Sequence, residues 1–481
     1  MVAEHLTIRN LTSTPIILKR IERFRAPGIS FGSFCTFARN FTRVFTNVAR
    51  ANTPVAAINE DSLPFAENDV DIHVGSFETV QTELPSFINS EKERIRWIFE
   101  VEGEKHQVQT PVPTTQSATM KALCDNPQFK FTGIYVTEEF HLTIYSSASL
   151  DAWMGELRDD TVLSSLSIPG THNSPTCHTA APSVRCQAVS PREQLRNGVR
   201  FFDIRVQPQY PKDPSKDDLI LVHSVFPISL TGSKYFRGLM REVEEFLEDN
   251  PSETLIISLK REGPGNHTDE QLSQIIHDHY AHPGSIWYTE PKIPTLGEVR
   301  GKVVLVRRFN ILEDLKGEHE GRGWGIDASG WADNCSNATC PSGQLCIQDF
   351  YEVLKTQIID KKLEYVREHC ERAGKTRYPF GVLSASSQIQ GYPLYINFLS
   401  ASNFWKMGTW PEKIAAKLNP ATVEYLCRNH AEGNGDWSTG ILVMDWVGLD
   451  GDWDLVRCIV GMNARLLQRQ FQHEKQYSSS N

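Results

Sequence analysis

Apolar and polar positions alternate through the first third of the chain. HLTIRNLT, PIILKRIERF, VDIHVGSFETVQTEL, RIRWIFEVEG and FTGIYVTEEFHLTIYSS each repeat with a period near two, with turn residues between them. This pattern predicts a β-rich accessory domain over residues 1–148, with a β-sandwich as its natural architecture. From about Leu150 short apolar runs alternate with segments of helical spacing. Ser190-Pro191-Arg192-Glu193 and Thr268-Asp269-Glu270-Gln271 have the form of capping boxes. Leu239, Val243, Phe246 and Leu247 line one helix face, which Asn250-Pro251 ends. Further helices are expected from about Asp349 to Arg372, near Pro411 to Leu418, and through Leu455, Ile459, Met462 and Leu466. The segment 473–481, HEKQYSSSN, reads as a frayed tail. At least seven parallel strands joined by helical crossovers over 149–472 predict an α/β fold, a TIM-type (β/α) barrel that need not close fully.

A chain of 481 residues is long for one domain, in keeping with a barrel and an accessory domain. The formal net charge of −10 argues against nucleic acid as a partner, and against docking on anionic membranes by bulk electrostatics. A membrane contact would then need a local patch. MVAEHLTIRNL has no apolar core of signal-peptide length, and no run is long enough to span a bilayer. The expected location is therefore cytoplasmic, although a trimmed secreted precursor would show the same pattern. Ten cysteines leave the compartment open. Cys335, Cys340 and Cys346 cluster in DNCSNATCPSGQLC. With no fourth ligand at zinc-finger spacing, a loop disulfide is the favoured reading over a metal site.

The candidate chemistry sits where strands end. SLSIPG climbs to His172 and Asn173, with Gly170 read as the residue that lets the backbone turn sharply. GVRFFDIR ends in Asp203 and Arg205, and LILVH ends in His223. Three successive strands that end in titratable groups look like the catalytic mouth of a barrel enzyme.

SIPGTHNS, GVRFFDIRV, LILVH and FLEDNPSETLIISLK, followed by GKVVLVRRF, IQDFY, LYINFLSAS and ILVMDWV, together resemble the phosphatidylinositol-specific phospholipase C family in its bacterial, single-catalytic-domain form. The resemblance covers roughly residues 150–470. It implies displacement at phosphorus by the inositol 2-hydroxyl, with His172 as base, Asp445 orienting it, Arg205 on the phosphate oxygens and His223 as acid. Two imidazoles suit this task because one can be neutral while the other is charged near neutral pH. Asp203 belongs to the same catalytic group. Block by block, Lys260, Arg308, Asp349 and Tyr351 fall at headgroup-binding positions, with Arg307 able to trade places with Arg308. Asn173 departs from the bacterial pattern, which has Asp beside the first His to support the acid histidine. The calcium-requiring branch needs carboxylates where this chain has Arg205 and Lys260, so no metal and no cofactor is expected. The implied activity is a metal-independent phosphatidylinositol diacylglycerol-lyase that acts at a membrane surface. The alternatives are a phosphodiesterase for another phospholipid or glycerophosphodiester headgroup, or a catalytically weak inositol-lipid-binding module.

Overall fold

The computed structural model describes residues 5–25, 62–85, 93–111, 116–146, 149–213, 215–353, 358–379, 392–403, 405–430 and 433–478. The chain divides into two compact units, Met1–Ser147 and Ala148–Asn481.

Among its described residues the first unit holds two five-stranded sheets. One runs Thr79–Pro85, His5–Leu11, His141–Ser146, Phe131–Val136, Ser117–Thr119; the other runs Ala66–Val74, Ile16–Arg25, Glu93–Val101, Glu104–Thr110, Lys121–Ala122. In Glu93–Val101 the residues Ile95, Trp97, Phe99 and Val101 are buried while Arg96, Ile98 and Glu100 are not. That is the period of two expected of a strand with one covered face. These side chains share a core with Leu6, Ile8, Phe131, Tyr135, Leu142 and Ile144 of the other sheet. Trp97 donates its indole N–H to Thr110 Oγ1 at 2.7 Å, which satisfies its one polar atom in that core.

The second unit is built on β1 (Ile168–Thr171), β2 (Phe201–Pro208), β3 (Leu219–His223), β4 (Leu255–Arg261), β5 (Val303–Arg308), β6 (Leu345–Gln348), β7 (Leu394–Phe398) and β8 (Ile441–Met444). Seven of them form a continuous parallel run in the order β5-β4-β2-β1-β8-β7-β6, which curls into a half-barrel. Among the described residues no strand pairing joins β5 to β6. Loops cross that seam instead: Ser342 Oγ donates to Asp327 O at 3.1 Å and Gln344 Nε2 to Pro291 O at 2.7 Å.

Strand alternation separates the two faces. Phe202, Ile204, Leu255, Ile257, Leu259, Val303 and Leu305 join a core with Leu239, Val243, Phe246 and Ile275 from the crossover helices Phe236–Asp249 and Asp269–His279. The intervening residues, among them Asp203, Arg205, Lys260 and Arg308, therefore point to the concave face. Thr268 and Gln271 form a reciprocal capping box, whereas Ser190 makes only its half, accepting from the Glu193 N–H.

Several expectations need correction. LILVH is not a parallel barrel strand: β3 runs antiparallel to β2, with Val206 opposite Leu221. The connection spans only residues 209–218, too short for the crossover of about a dozen or more residues that a parallel pair requires. Gly170 lies inside β1 and makes no turn; a Cβ there would stand 2.9 Å from Phe201 Cδ1 and 3.1 Å from Ile441 Cγ2, so glycine serves the close approach of the flanking strands. The helix expected from Asp349 is described as Ile358–Lys375, because Asp349 to Val353 continue the strand-end loop, in which Glu352 bridges Ser402. The helix at Pro411 runs on to Arg428 through Pro420. Burial of Thr422, Val423 and Leu426 holds it together, and Thr422 Oγ1 donates to Leu418 O at 2.7 Å. The final helix is two, Asp454–Gly461 and Ala464–Ser478. Asn463 breaks it by bonding the Ser167 backbone through both amide atoms, at 2.9 and 3.0 Å. The second helix carries most of the supposed frayed tail; residues 479–481 lie outside the described residues. No disulfide joins Cys335, Cys340 and Cys346: all three thiols are free, with Cys335 Sγ on Ile347 O and Cys346 Sγ on Asn337 Oδ1.

Candidate active site

Register assembles the site. In the β1–β8 pair Thr171 lies opposite Met444, so the next residues, His172 and Asp445, leave the sheet side by side. The His172 N–H donates to Met444 O at 2.9 Å, and His172 Nδ1 lies 2.9 Å from Asp445 Oδ1. Asn419 from helix Pro411–Arg428 bonds the Asp445 carbonyl at 3.0 Å, and Gln187 Nε2 bonds the His172 and Met444 carbonyls at 2.7 and 3.0 Å. Across β2, β4 and β5 the register aligns Arg205, Lys260 and Arg308 in one row of cations on the concave face. Arg307, one residue back, points outward and bonds Trp324 O and Phe309 O, so Arg308 alone of the two belongs to the row.

Carboxylates knit that row together. Asp203, fully buried, accepts from Arg205 Nη2 at 3.2 Å, Arg308 Nη1 at 3.4 Å and the Asn173 backbone N–H at 3.1 Å. Burial alone would raise the Asp203 carboxyl, but Arg205 and Arg308 outweigh it and hold it below its usual value. Glu262 bridges Arg205 Nη1 at 3.3 Å and Lys260 Nζ at 2.9 Å, and it accepts from the Ser224 N–H at 2.8 Å. Burial opposes its charge as well, and the same two cations depress it strongly. Arg308 stacks 3.9 Å over the Trp331 ring, whose Nε1 donates to Asp349 Oδ2 at 3.0 Å. Tyr351 OH bonds Asp333 at 2.9 Å, one step further out.

The two histidines face each other at the mouth. Their rings lie 5.8 Å apart at 85°. Arg205 Nη2 stands 2.8 Å from His172 Nε2. Burial disfavours an imidazolium at 172, but Asp445 and the Cys186 sulfur outweigh it and raise its proton affinity. His223 Nδ1 bonds Val184 O at 2.8 Å and lies 3.8 Å from Cys186 Sγ. Burial alone would push the Cys186 thiol up, yet His223 and His172 bring it down to about 7. The Cys186 sulfur and one ring nitrogen each of His172 and His223 lie within 4.8 Å of one another.

The structure thus gathers His172, Asp445, Arg205, Asp203, Lys260, Arg308, Asp349 and His223 around one concavity, with Tyr351 at its edge. Asn173 is the exception. It sits in the left-handed region (φ 41), which turns its backbone N–H onto Asp203, and its buried side-chain amide makes no hydrogen bond. It does not hold His223; Val184 and Cys186 do. Sequence reading missed Glu262, Cys186 and Trp331. Glu262 follows Lys260 by two and so shares its face, a signal that was legible. Cys186 and Trp331 come from loops with no periodicity to read.

Residues 160–309 match the family model described as phosphatidylinositol-specific phospholipase C, X domain. The match lies wholly within the second unit. This chain is 28% identical over 346 residues to the 1-phosphatidylinositol phosphodiesterase of Staphylococcus aureus strain Newman, a match that spans 67% of this chain and 97% of that protein. The enzyme of the same name from Listeria monocytogenes is 34% identical over 193 residues, 38% of this chain and 56% of its own. A solved structure of the S. aureus phosphatidylinositol-specific phospholipase C superposes with a TM-score of 0.51 at 26% identity, covering 66% of this chain and 98% of that one.

Proposed function

We propose that the second unit cleaves phosphatidylinositol without a metal ion, to diacylglycerol and inositol 1,2-cyclic phosphate. The observation that carries the reading is the pair of facing histidines with the Arg205 guanidinium on the outer nitrogen of the first. A guanidinium has only donors, so Arg205 on Nε2 keeps the His172 ring neutral, and the proton affinity that Asp445 lends the ring is realised once Arg205 leaves. A substrate phosphate draws Arg205 onto its oxygens, where planar paired donors fit. Nε2 is then released to take the proton of the 2-hydroxyl. The 2-oxygen attacks phosphorus, the bond from phosphorus to the glycerol oxygen breaks, and His223 gives that oxygen a proton through Nε2. Its Nδ1–H stays on Val184 O throughout. Asp445 stabilises the imidazolium formed at His172, and Arg205 meets the charge that grows on phosphorus. Lys260, Arg308 and Asp349 would bind inositol hydroxyls, with Trp331 and Tyr351 offering ring faces to the sugar.

Access to the lipid rests on apolar side chains near the mouth. Val225, Phe226 and Leu230 follow His223, and Trp405 and Met407 lie in the loop after β7, all exposed despite their size. Such side chains suit the interface of a bilayer and compensate for a net charge that would not itself attract an anionic surface. The test is cleavage of phosphatidylinositol vesicles in excess chelator, with phosphorus NMR of the product. The cyclic phosphate should form at an undiminished rate. Activity that vanishes with chelator and returns with calcium would overturn the proposal.

A further inference from the structure

Cys186 has no part in the reaction above, yet it stands between its two histidines. The thiol is fully buried, and the loop that carries it is fastened at both sides: Cys186 N–H bonds Thr176 O and Oγ1 at 3.3 and 3.2 Å, and Trp446 N–H, next to Asp445, bonds Cys186 O at 2.7 Å. One carbonyl, Val184 O, accepts from both Cys186 Sγ at 3.4 Å and His223 Nδ1 at 2.8 Å, which holds these two donor atoms 3.8 Å apart. Two ligands on one tetrahedral zinc, at usual Zn–S and Zn–N lengths, lie about 3.6 Å apart. The spacing is thus within a few tenths of an ångström of a ligand pair, and the His172 ring completes three donors within 4.8 Å.

We infer that His172, Cys186 and His223 form a site for a thiophilic divalent cation such as Zn2+, which stops turnover by occupying both catalytic histidines. A thiolate and two imidazoles are the donors such a cation selects, and three protein ligands leave a fourth position for water. Binding displaces the Cys186 S–H proton to solvent, and each ring coordinates as a neutral imidazole through a nitrogen that bears no proton, so a ring that starts as imidazolium releases one proton as well. Arg205 does not forbid it. The guanidinium keeps Asp203 and Glu262 as partners when it leaves His172 Nε2, and Asp445, 2.9 Å from His172 Nδ1, adds negative charge beside the cation. The consequence for turnover rests on the catalytic reading above; the binding does not.

The experiment uses the full chain, reduced, stripped with chelator and desalted. Zn2+ is titrated in competition with a chromophoric chelator, without substrate, and the melting temperature is followed in parallel, since a ligand of the folded state alone raises it. One equivalent should bind. Cys186→Ser should weaken binding by more than about 100-fold, beyond the 10–100-fold that loss of an outer-sphere partner costs. Cys340→Ser, in the separate cysteine loop, should leave it unchanged. Phosphatidylinositol cleavage should fall in proportion to occupancy and return with chelator. Equal affinity in the intact protein and Cys186→Ser, or loss in Cys340→Ser instead, overturns the site. If Cys186→Ser fails to fold, Co2+ loaded on the intact protein decides: a tetrahedral spectrum with a thiolate charge-transfer band supports the site, and its absence rejects it. Loss of binding leaves the assignment of His172 and His223 standing, since their own substitution tests that.

Discussion

Arg205 Nη2 lies 2.8 Å from His172 Nε2, so the group proposed to bind phosphate and the proposed base occupy each other before substrate arrives. Arg205 is fixed by Asp203 on one side and Glu262 on the other, which leaves one edge of the guanidinium for an anion. Lysine keeps the charge but has no paired donors and reaches a different point. Arg205→Lys should lower kcat by about 10²–10³, the loss seen when one preorganised donor to developing charge is removed. KM should change far less. A loss confined to KM would show that Arg205 binds the ground state only.

The two histidines are distinguishable by leaving group. His172→Ala should abolish cleavage of every substrate, because nothing else is placed to take the 2-hydroxyl proton. His223→Ala should cost about 10²–10⁴ on phosphatidylinositol, the usual worth of a general acid, and much less on a nitrophenyl phosphodiester whose leaving group needs little protonation. Rates of both variants on both substrates check this; equal losses on the nitrophenyl ester would reverse or void the roles.

Asn173→Asp tests the position that departs from the bacterial pattern. A carboxylate beside His223 would raise the upper limb of the pH–rate profile, but Asn173 meets Asp203 through its backbone N–H and its side chain bonds neither histidine. The new carboxylate would be buried near a like charge. The expected outcome is a loss of about 3 kcal/mol or more in stability, read by urea unfolding, with no upward move of the alkaline limb. An alkaline shift without destabilisation would put residue 173 on His223 after all.

Glu262 couples the cation row to pH. Its folded-state pKa is depressed by Arg205 and Lys260, so its stabilising contribution is full above the unfolded carboxyl value of about 4.3 and is lost as pH falls toward the folded value. Glu262→Gln should destabilise the protein by about 3 kcal/mol at pH about 7, as breaking a largely buried pair does. The gap from the native protein should narrow steadily below pH about 4. A gap independent of pH would mean that Glu262 acts by packing and not by charge.

Much of this protein was legible in its sequence because strand chemistry is periodic. Asp203 and Arg205 alternate with Phe202 and Ile204, and Lys260 alternates with Leu259, so the pattern that forms the hydrophobic core also turns the charged side chains to the opposite face. His172 and Asp445 were each visible at a strand end, and a motif could pair them. Tertiary structure decided the rest. That β1 and β8 are neighbours, with Thr171 opposite Met444, is a matter of register across 273 residues, and no local pattern encodes it. The antiparallel return of β3, the continuation of a helix through Pro420 and the break at Asn463 were each set by contacts that outweigh local propensity. The resemblance put residue 173 beside the acid histidine, but the left-handed backbone there turns the Asn173 N–H to Asp203. Cys186 reached His223 from an aperiodic loop 37 residues away, a meeting that only the folded chain's Val184 carbonyl and Trp446 anchor bring about.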